Sequence, residues 1–163
     1  MGGGRYGGFR NTRGAAAGDA SFMHAGDEFF RYIQNRKDID PGGVFDIIAH
    51  GTSIAIEVKH VGSRIMINSR IAAQLISRLP NYRKGQAIRL LSCNTGADDA
   101  GFAQNLANKL NVVVYAPAKT LWAWPDGSHL IADKSARGGP NGQSIPDMNS
   151  LGTFRKFVPG GNL

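Results

Sequence analysis

The sequence predicts an α/β domain: a mainly parallel sheet flanked by helices, with a β-hairpin insertion and a loop-rich C-terminal part. Three observations predict it. Short apolar runs of strand type, at 44–49, 87–91 and 112–116, are separated by segments of helical periodicity. Strands that alternate with helices pair in parallel, because each helix carries the chain back across one face of the sheet. A chain of 163 residues, 42% hydrophobic, suits one domain and can bury a core without disulfides.

The elements follow in order. Residues 1–20 hold seven glycines and three arginines, a density whose ordering entropy reads as a flexible arm or linker ahead of a single α/β catalytic-type domain at 21–163. Within it, Gly4-Arg5-Tyr6-Gly7-Gly8-Phe9-Arg10 resembles one copy of an RNA-binding arginine–glycine segment, with a linker the expected role. Phe29, Phe30 and Ile33 share a face of a helix over 27–36, and Asp40-Pro41-Gly42-Gly43 is a turn. The buried strand 44–49 ends at His50-Gly51. Residues 54–58 and 65–67 read as strands around a hairpin turn, His60-Val61-Gly62-Ser63. Asn68 or Ser69 caps a helix whose apolar face is Ile71, Ala72, Leu75, Ile76 and Leu79, and Pro80 ends it. Strand 87–91 runs into Ser92-Cys93 and a turn at Asn94-Thr95-Gly96. Asp98 or Asp99 is placed to cap the next helix, which buries Phe102, Leu106 and Leu110. Strand 112–116 stops at Pro117. Residues 121–124 and 129–131 form a hairpin around Pro125-Asp126-Gly127, 134–152 read as a long loop, and 153–158 as a last edge strand.

Composition excludes several classes. A single cysteine, Cys93, permits no disulfide within the chain and no cysteine-rich zinc site. No apolar run reaches the length of a membrane span, and no signal-peptide core is visible. The net charge of +7 admits an acidic partner, but the 19 Lys and Arg are scattered, so nucleic acid is not favoured. His24, His60 and His129 lack a ligand-spaced neighbour and no nucleotide fingerprint occurs, so neither metal nor cofactor is expected. Trp122 and Trp124 fall on one side of their strand and suit packing better than base stacking.

The chemistry sits at two strand ends. In open parallel sheets ligands bind beyond the carboxyl ends of the strands. His50 and Cys93 each follow such an end, 43 residues apart, a separation that accommodates a crossover with an inserted hairpin. A thiol beside an imidazole is the chemistry of nucleophilic acyl transfer, the sulfur attacking and the ring handling the proton. Gly51 allows close backbone approach, and the N–H groups of Gly51 and Cys93 are candidate oxyanion donors. Asp46 lies four residues back along the strand, too far to orient His50. Taken singly, a cysteine at a strand end is a small core residue and a His-Gly pair is a turn. Their matched placement is what points to a site.

The run Phe45-Asp46-Ile47-Ile48-Ala49-His50-Gly51, a hairpin, the helix at 69–79, and Ile88-Arg89-Leu90-Leu91-Ser92-Cys93 together resemble the caspase-like (clan CD) cysteine peptidases, in the style of the peptidase domains of bacterial toxins. Phe102-Ala103-Gln104-Asn105-Leu106-Ala107 and residues 112–117 continue the likeness, which covers 44–118. The C-terminal part, with Trp122, Pro125-Asp126-Gly127 and 154–161, has the look of toxin tips of polymorphic, Rhs-type proteins. The resemblance implies a cysteine endopeptidase with His50 as general acid/base, Cys93 as nucleophile and Gly51 in the oxyanion hole, working as a dyad. It also implies a protein or peptide substrate, an immunity protein as a further partner, and secretion or delivery as an effector into a reducing cytoplasm. A basic nuclease-type toxin domain and a non-catalytic binding module on the same scaffold are the alternative readings.

Overall fold

The computed structural model describes residues 19–40, 43–60 and 62–161. Its centre is a five-stranded sheet of order β1-β2-β5-β6-β10, formed by β1 (Asp19–Ser21), β2 (Phe45–Ile48), β5 (Ile88–Leu91), β6 (Val114–Pro117) and β10 (Phe154–Phe157). The first four strands run parallel and β10 returns antiparallel along β6, so the expected mixed α/β architecture with a mainly parallel sheet is the one observed. Between β2 and β5 lie the antiparallel hairpin β3 (Ile56–His60) and β4 (Ser63–Ile67), and helix α2 (Ser69–Ser77). Helix α3 (Phe102–Leu110) joins β5 to β6, and the short α1 (Glu28–Ile33) joins β1 to β2.

Alternation along the strands divides the core in two. Ile47, Ala49, Ile88 and Leu90 face α2 and α3, packing with Ile76, Phe102 and Leu106. Ile48 and Leu91 face the other way, packing with Phe30 and Ile33 of α1 and with Leu121 and Ile131. Residues two apart on a strand share a face, so Ile48 and Leu91 already mark the side on which His50 and Cys93 emerge.

Several elements differ from expectation. Asp19 and Ala20, read as the end of the arm, belong to β1 and are fully buried, while residues 1–18 lie outside the described residues. Pro41 and Gly42 of the expected turn also lie outside them. The span read as a loop at 134–152 contains β9 (Pro146–Leu151), which pairs with β8 (His129–Lys134); with β7 (Thr120–Ala123) they make a three-stranded antiparallel sheet. Neither Asp98 nor Asp99 caps α3. Gly101 occupies that position with no side-chain cap, and a Cβ there would lie 2.7 Å from the Ser53 carbonyl oxygen.

A buried ion network ties the amino ends of the strands together. Arg36, just past α1, donates to Asp19 of β1 at 2.8 Å and to Asp46 of β2 at 2.9 Å. Arg89 of β5 adds two bonds to Asp46 at 2.8 Å each and reaches Asp38, which His129 also contacts. Burial acts to raise the Asp38 carboxyl, but Arg89 and His129 outweigh it and hold it at about 2. Asp46 therefore has a structural role, consistent with its distance from His50.

Candidate functional site

β2 and β5 pair through Ile48 opposite Leu91, and the Ala49 N–H continues the ladder to the Leu91 carbonyl at 3.3 Å. His50 and Cys93 each stand two residues beyond a paired position, on adjoining strands whose spacing is about 4.8 Å. The two strand ends are in direct contact. A Cβ built on Gly51 would meet Thr95 Cγ2 at 2.8 Å, the Cys93 carbonyl oxygen at 3.0 Å and Ser92 Cβ at 3.2 Å. The lack of a side chain on Gly51 is thus what lets the cysteine turn pack against it.

Local chemistry holds that turn in place. Asn94, directly after the cysteine, is left-handed with φ of 63°, so the chain reverses sharply there. The Asn94 and Gly96 N–H groups donate to the carbonyls of Lys119 and Pro117 at 3.0 and 2.8 Å. The buried Thr95 hydroxyl donates to the Ser92 carbonyl at 3.1 Å. On the histidine side, Thr52 Oγ1 accepts from the N–H groups of Ile54 and Ala55 at 3.2 Å each, and the Phe102 N–H donates to the Ser53 carbonyl at 2.9 Å. The His50 loop and the Cys93 loop are thus joined at both ends. The Gly51 N–H makes no hydrogen bond among the described residues, and the Cys93 N–H is turned toward its own sulfur.

His50 has a partner that the sequence reading did not contain. Its Nε2 lies 2.7 Å from Asp27 Oδ2, while Asp27 Oδ1 accepts from the Phe29 and Phe30 N–H groups and so caps α1. One carboxylate therefore serves the imidazole and the helix together. Burial acts to raise the Asp27 carboxyl, but the hydrogen bond and charge of His50, helped by the two cap amides, leave it below its ordinary 3.8. With Asp27 ionised, Nε2 carries the hydrogen, and Nδ1 keeps the lone pair able to take a proton.

Cys93 is half-buried against the α1–β7 layer. Its sulfur accepts from the Leu121 N–H at 3.4 Å and approaches the Leu121 carbonyl at 3.7 Å. Burial pushes the thiol up from its ordinary value, more than the Leu121 amide lowers it, so the resting group is a thiol and needs a base. The geometry of β7 explains the contact. Ile131, opposite Leu121, accepts from the Gly152 N–H, which turns its backbone toward β9. Leu121 is correspondingly turned away from β8, and both its N–H and C=O are engaged by the Cys93 sulfur.

The other candidate residues lie apart. His24 Nδ1 accepts from the Gly26 N–H at 3.0 Å, His129 contacts Asp38, and Trp122 Nε1–H donates to the Ala132 carbonyl at 3.1 Å. Among the described residues no group of three or more His, Cys, Asp or Glu could hold a metal. No helix there is long and apolar enough to cross a membrane. An open pocket of about 440 Å³, lined by Lys37, Asp38 and 126–129, lies near Arg89, four residues back along β5 from Cys93.

Fold and site together define a mixed α/β domain with a histidine and a cysteine at adjoining strand ends. The chain belongs to the family described as Domain of unknown function (DUF8616), whose model matches residues 18–131. It is also similar to the uncharacterized protein YibJ of Escherichia coli (strain K12), 38% identical over 66 residues. That match covers 40% of this chain and 27% of YibJ. No solved structure matches.

Proposed function

We propose that the chain is a caspase-like cysteine endopeptidase acting on a protein substrate through His50 and Cys93. The observation that supports this reading is the placement of His50 and Cys93 two residues beyond paired positions of adjoining strands, beside a Gly51 N–H that makes no hydrogen bond among the described residues. In the proposed reaction Nδ1 of His50 takes the Cys93 thiol proton as Sγ bonds to the scissile carbonyl carbon. The carbonyl oxygen, now carrying the negative charge, receives hydrogen bonds from the Gly51 and Cys93 N–H groups. The tetrahedral centre collapses, the C–N bond breaks, and the leaving amine takes the proton from His50. Water then adds to the thioester, giving up a proton to His50 that returns to sulfur on release of the acid. Asp27 holds the ring in the required tautomer and faces the imidazolium that forms.

The bacterial effector role, the immunity protein and action in a reducing cytoplasm belong to the same proposal, resting on the resemblance of 44–118 to toxin peptidase domains. A lone catalytic thiol suits a reducing compartment. One observation favours a second reading, a non-catalytic binding module: the sulfur is engaged by Leu121 and its thiol is pushed up. The two are separated by incubating the wild-type chain and Cys93→Ala with a bacterial lysate and sequencing newly formed N-termini. New termini with the wild type alone support the peptidase. Identical profiles support the binding module.

A further inference from the structure

The basic residues are unevenly placed in the fold. Between Ile56 and Lys84 stand Lys59, Arg64, Arg70, Arg78, Arg83 and Lys84 against the single acid Glu57, a net of +5 out of +7 for the whole chain. This stretch is the β3–β4 hairpin, α2 and the loop after it. Lys59, Arg64, Arg70 and Lys84 make no ion pair among the described residues. In the hairpin, Lys59 pairs directly with Arg64, and like charges in that relation repel. Such a pair is stabilised by an anionic group placed over it.

The hairpin is also an unfinished sheet. It holds two strands; among the described residues β3 bridges only to Gly51, through Ile56, and β4 pairs with no further strand. Ile56, Val58 and Ile67 are buried in the core, but Ile65 is 43% exposed and Met66 is 51% exposed. The phase of the ladder follows from Glu57, whose N–H donates outside the hairpin to the His50 carbonyl at 2.8 Å. Glu57 and Met66 are therefore a non-hydrogen-bonded pair, as are Lys59 and Arg64 two residues on. The N–H and C=O groups of Arg64 and Met66 thus point away from β3, and they have no partner among the described residues. Charged residues on an open edge also serve to repel other chains. Two large apolar side chains exposed beside them do the opposite.

We infer that the outer edge of β4 docks an extended acidic segment of a partner protein, which pairs with the backbone of Arg64 and Met66 and sets carboxylates over Lys59 and Arg64. Unpaired strand groups call for a strand, the basic pair for carboxylates on the face it shares with Met66, and Ile65, on the opposite face, for apolar side chains alternating with them. A nucleic acid satisfies only the charge. The inference does not depend on the peptidase reading, because the surface is distinct from Cys93 and its test involves no turnover.

The full chain is titrated, at about 0.15 M salt, into three fluorescein-labelled probes: the peptide Glu-Val-Glu-Val-Glu-Val-Glu, hepta-glutamate, and a short single-stranded DNA. The alternating peptide is expected to bind roughly tenfold more tightly than hepta-glutamate. Met66→Pro removes only an outward N–H, which an edge strand tolerates, and is expected to weaken that binding roughly tenfold. Lys59→Glu with Arg64→Glu is expected to weaken it at least as much, and serves if the proline variant fails to fold. Failure of the alternating peptide to bind overturns the inference. So does binding unchanged by either variant, or DNA binding as tight as the peptide's and indifferent to Met66→Pro.

Discussion

Asp27 offers the sharpest perturbation, because its two oxygens do different work. Asparagine at this position keeps an oxygen for the Phe29 N–H, so the α1 cap survives, but it presents an NH2 group to His50. The ring must then accept at Nε2 and carry its hydrogen on Nδ1, the wrong tautomer for taking the thiol proton. The stability cost is small. The His50 side chain is 45% exposed, so solvent screens the lost contact to about 0.2–1 kcal/mol. Asp27→Ala loses the cap as well, about 1 kcal/mol more. Both variants are expected to lose turnover by about 10²-fold or more, the usual worth of a positioned general base. Melting curves, lysate cleavage rates and the ring ¹⁵N shifts of His50, assigned against His50→Gln, read the three consequences separately. The Asp27 carboxyl lies below its ordinary 3.8 in the folded chain, so its contribution to stability is complete above that value. It is lost as the pH falls through the folded value, and Asp27→Asn is expected to lack this acid-side component. Wild-type turnover in Asp27→Asn, or an unchanged His50 tautomer, would refute the reasoning.

Other outcomes follow from the same geometry. Gly51→Ala places a Cβ 2.8 Å from the buried Thr95 methyl and 3.0 Å from the Cys93 carbonyl. It is expected to destabilise by about 1–3 kcal/mol and to lower Cys93 alkylation by iodoacetamide together with turnover; loss of turnover at full stability would mean the glycine faces substrate instead. Arg36→Met strips the buried Asp19 and Asp46 carboxylates of a shared partner and is expected to cost about 3–5 kcal/mol in urea unfolding, against no loss if the network is dispensable. Deleting residues 1–18 is expected to leave the melting temperature unchanged. Deleting 1–20 removes two of the three residues of β1 and is expected to lower it.

Much of this architecture is legible in the residues. The apolar runs that became β2, β5 and β6, and the spaced apolar faces of α2 and α3, carry their own periodicity. So does the turn chemistry of Pro125-Asp126-Gly127 between β7 and β8. What escaped the sequence depends on partners far along the chain. Pro146-Asp147-Met148-Asn149-Ser150-Leu151 has neither alternation nor β-branched residues, and becomes β9 only by pairing with β8. Asp19 looks like the polar end of a glycine-rich arm until Arg36 neutralises it in the interior. The placement of His50 and Cys93 beyond adjoining strands is readable because both follow apolar runs of one parallel sheet. Asp27 is not: the nearest carboxylate along the same strand is Asp46, whereas the residue that reaches His50 stands at the start of α1. An aspartate ahead of an apolar helix announces a cap, and nothing local announces its second oxygen's partner.

The central claim is that Cys93 is a nucleophile served by His50. Because Cys93 is the chain's one cysteine, intact-mass spectrometry after exposure to a mixture of peptidyl acyloxymethyl ketones reports on it alone. These reagents need a peptide site and an activated thiolate to react. The account predicts a single adduct on the wild-type chain, none on Cys93→Ala, and labelling at least about 10²-fold slower on His50→Ala. No adduct on the wild type, or equal labelling of wild type and His50→Ala, would contradict it.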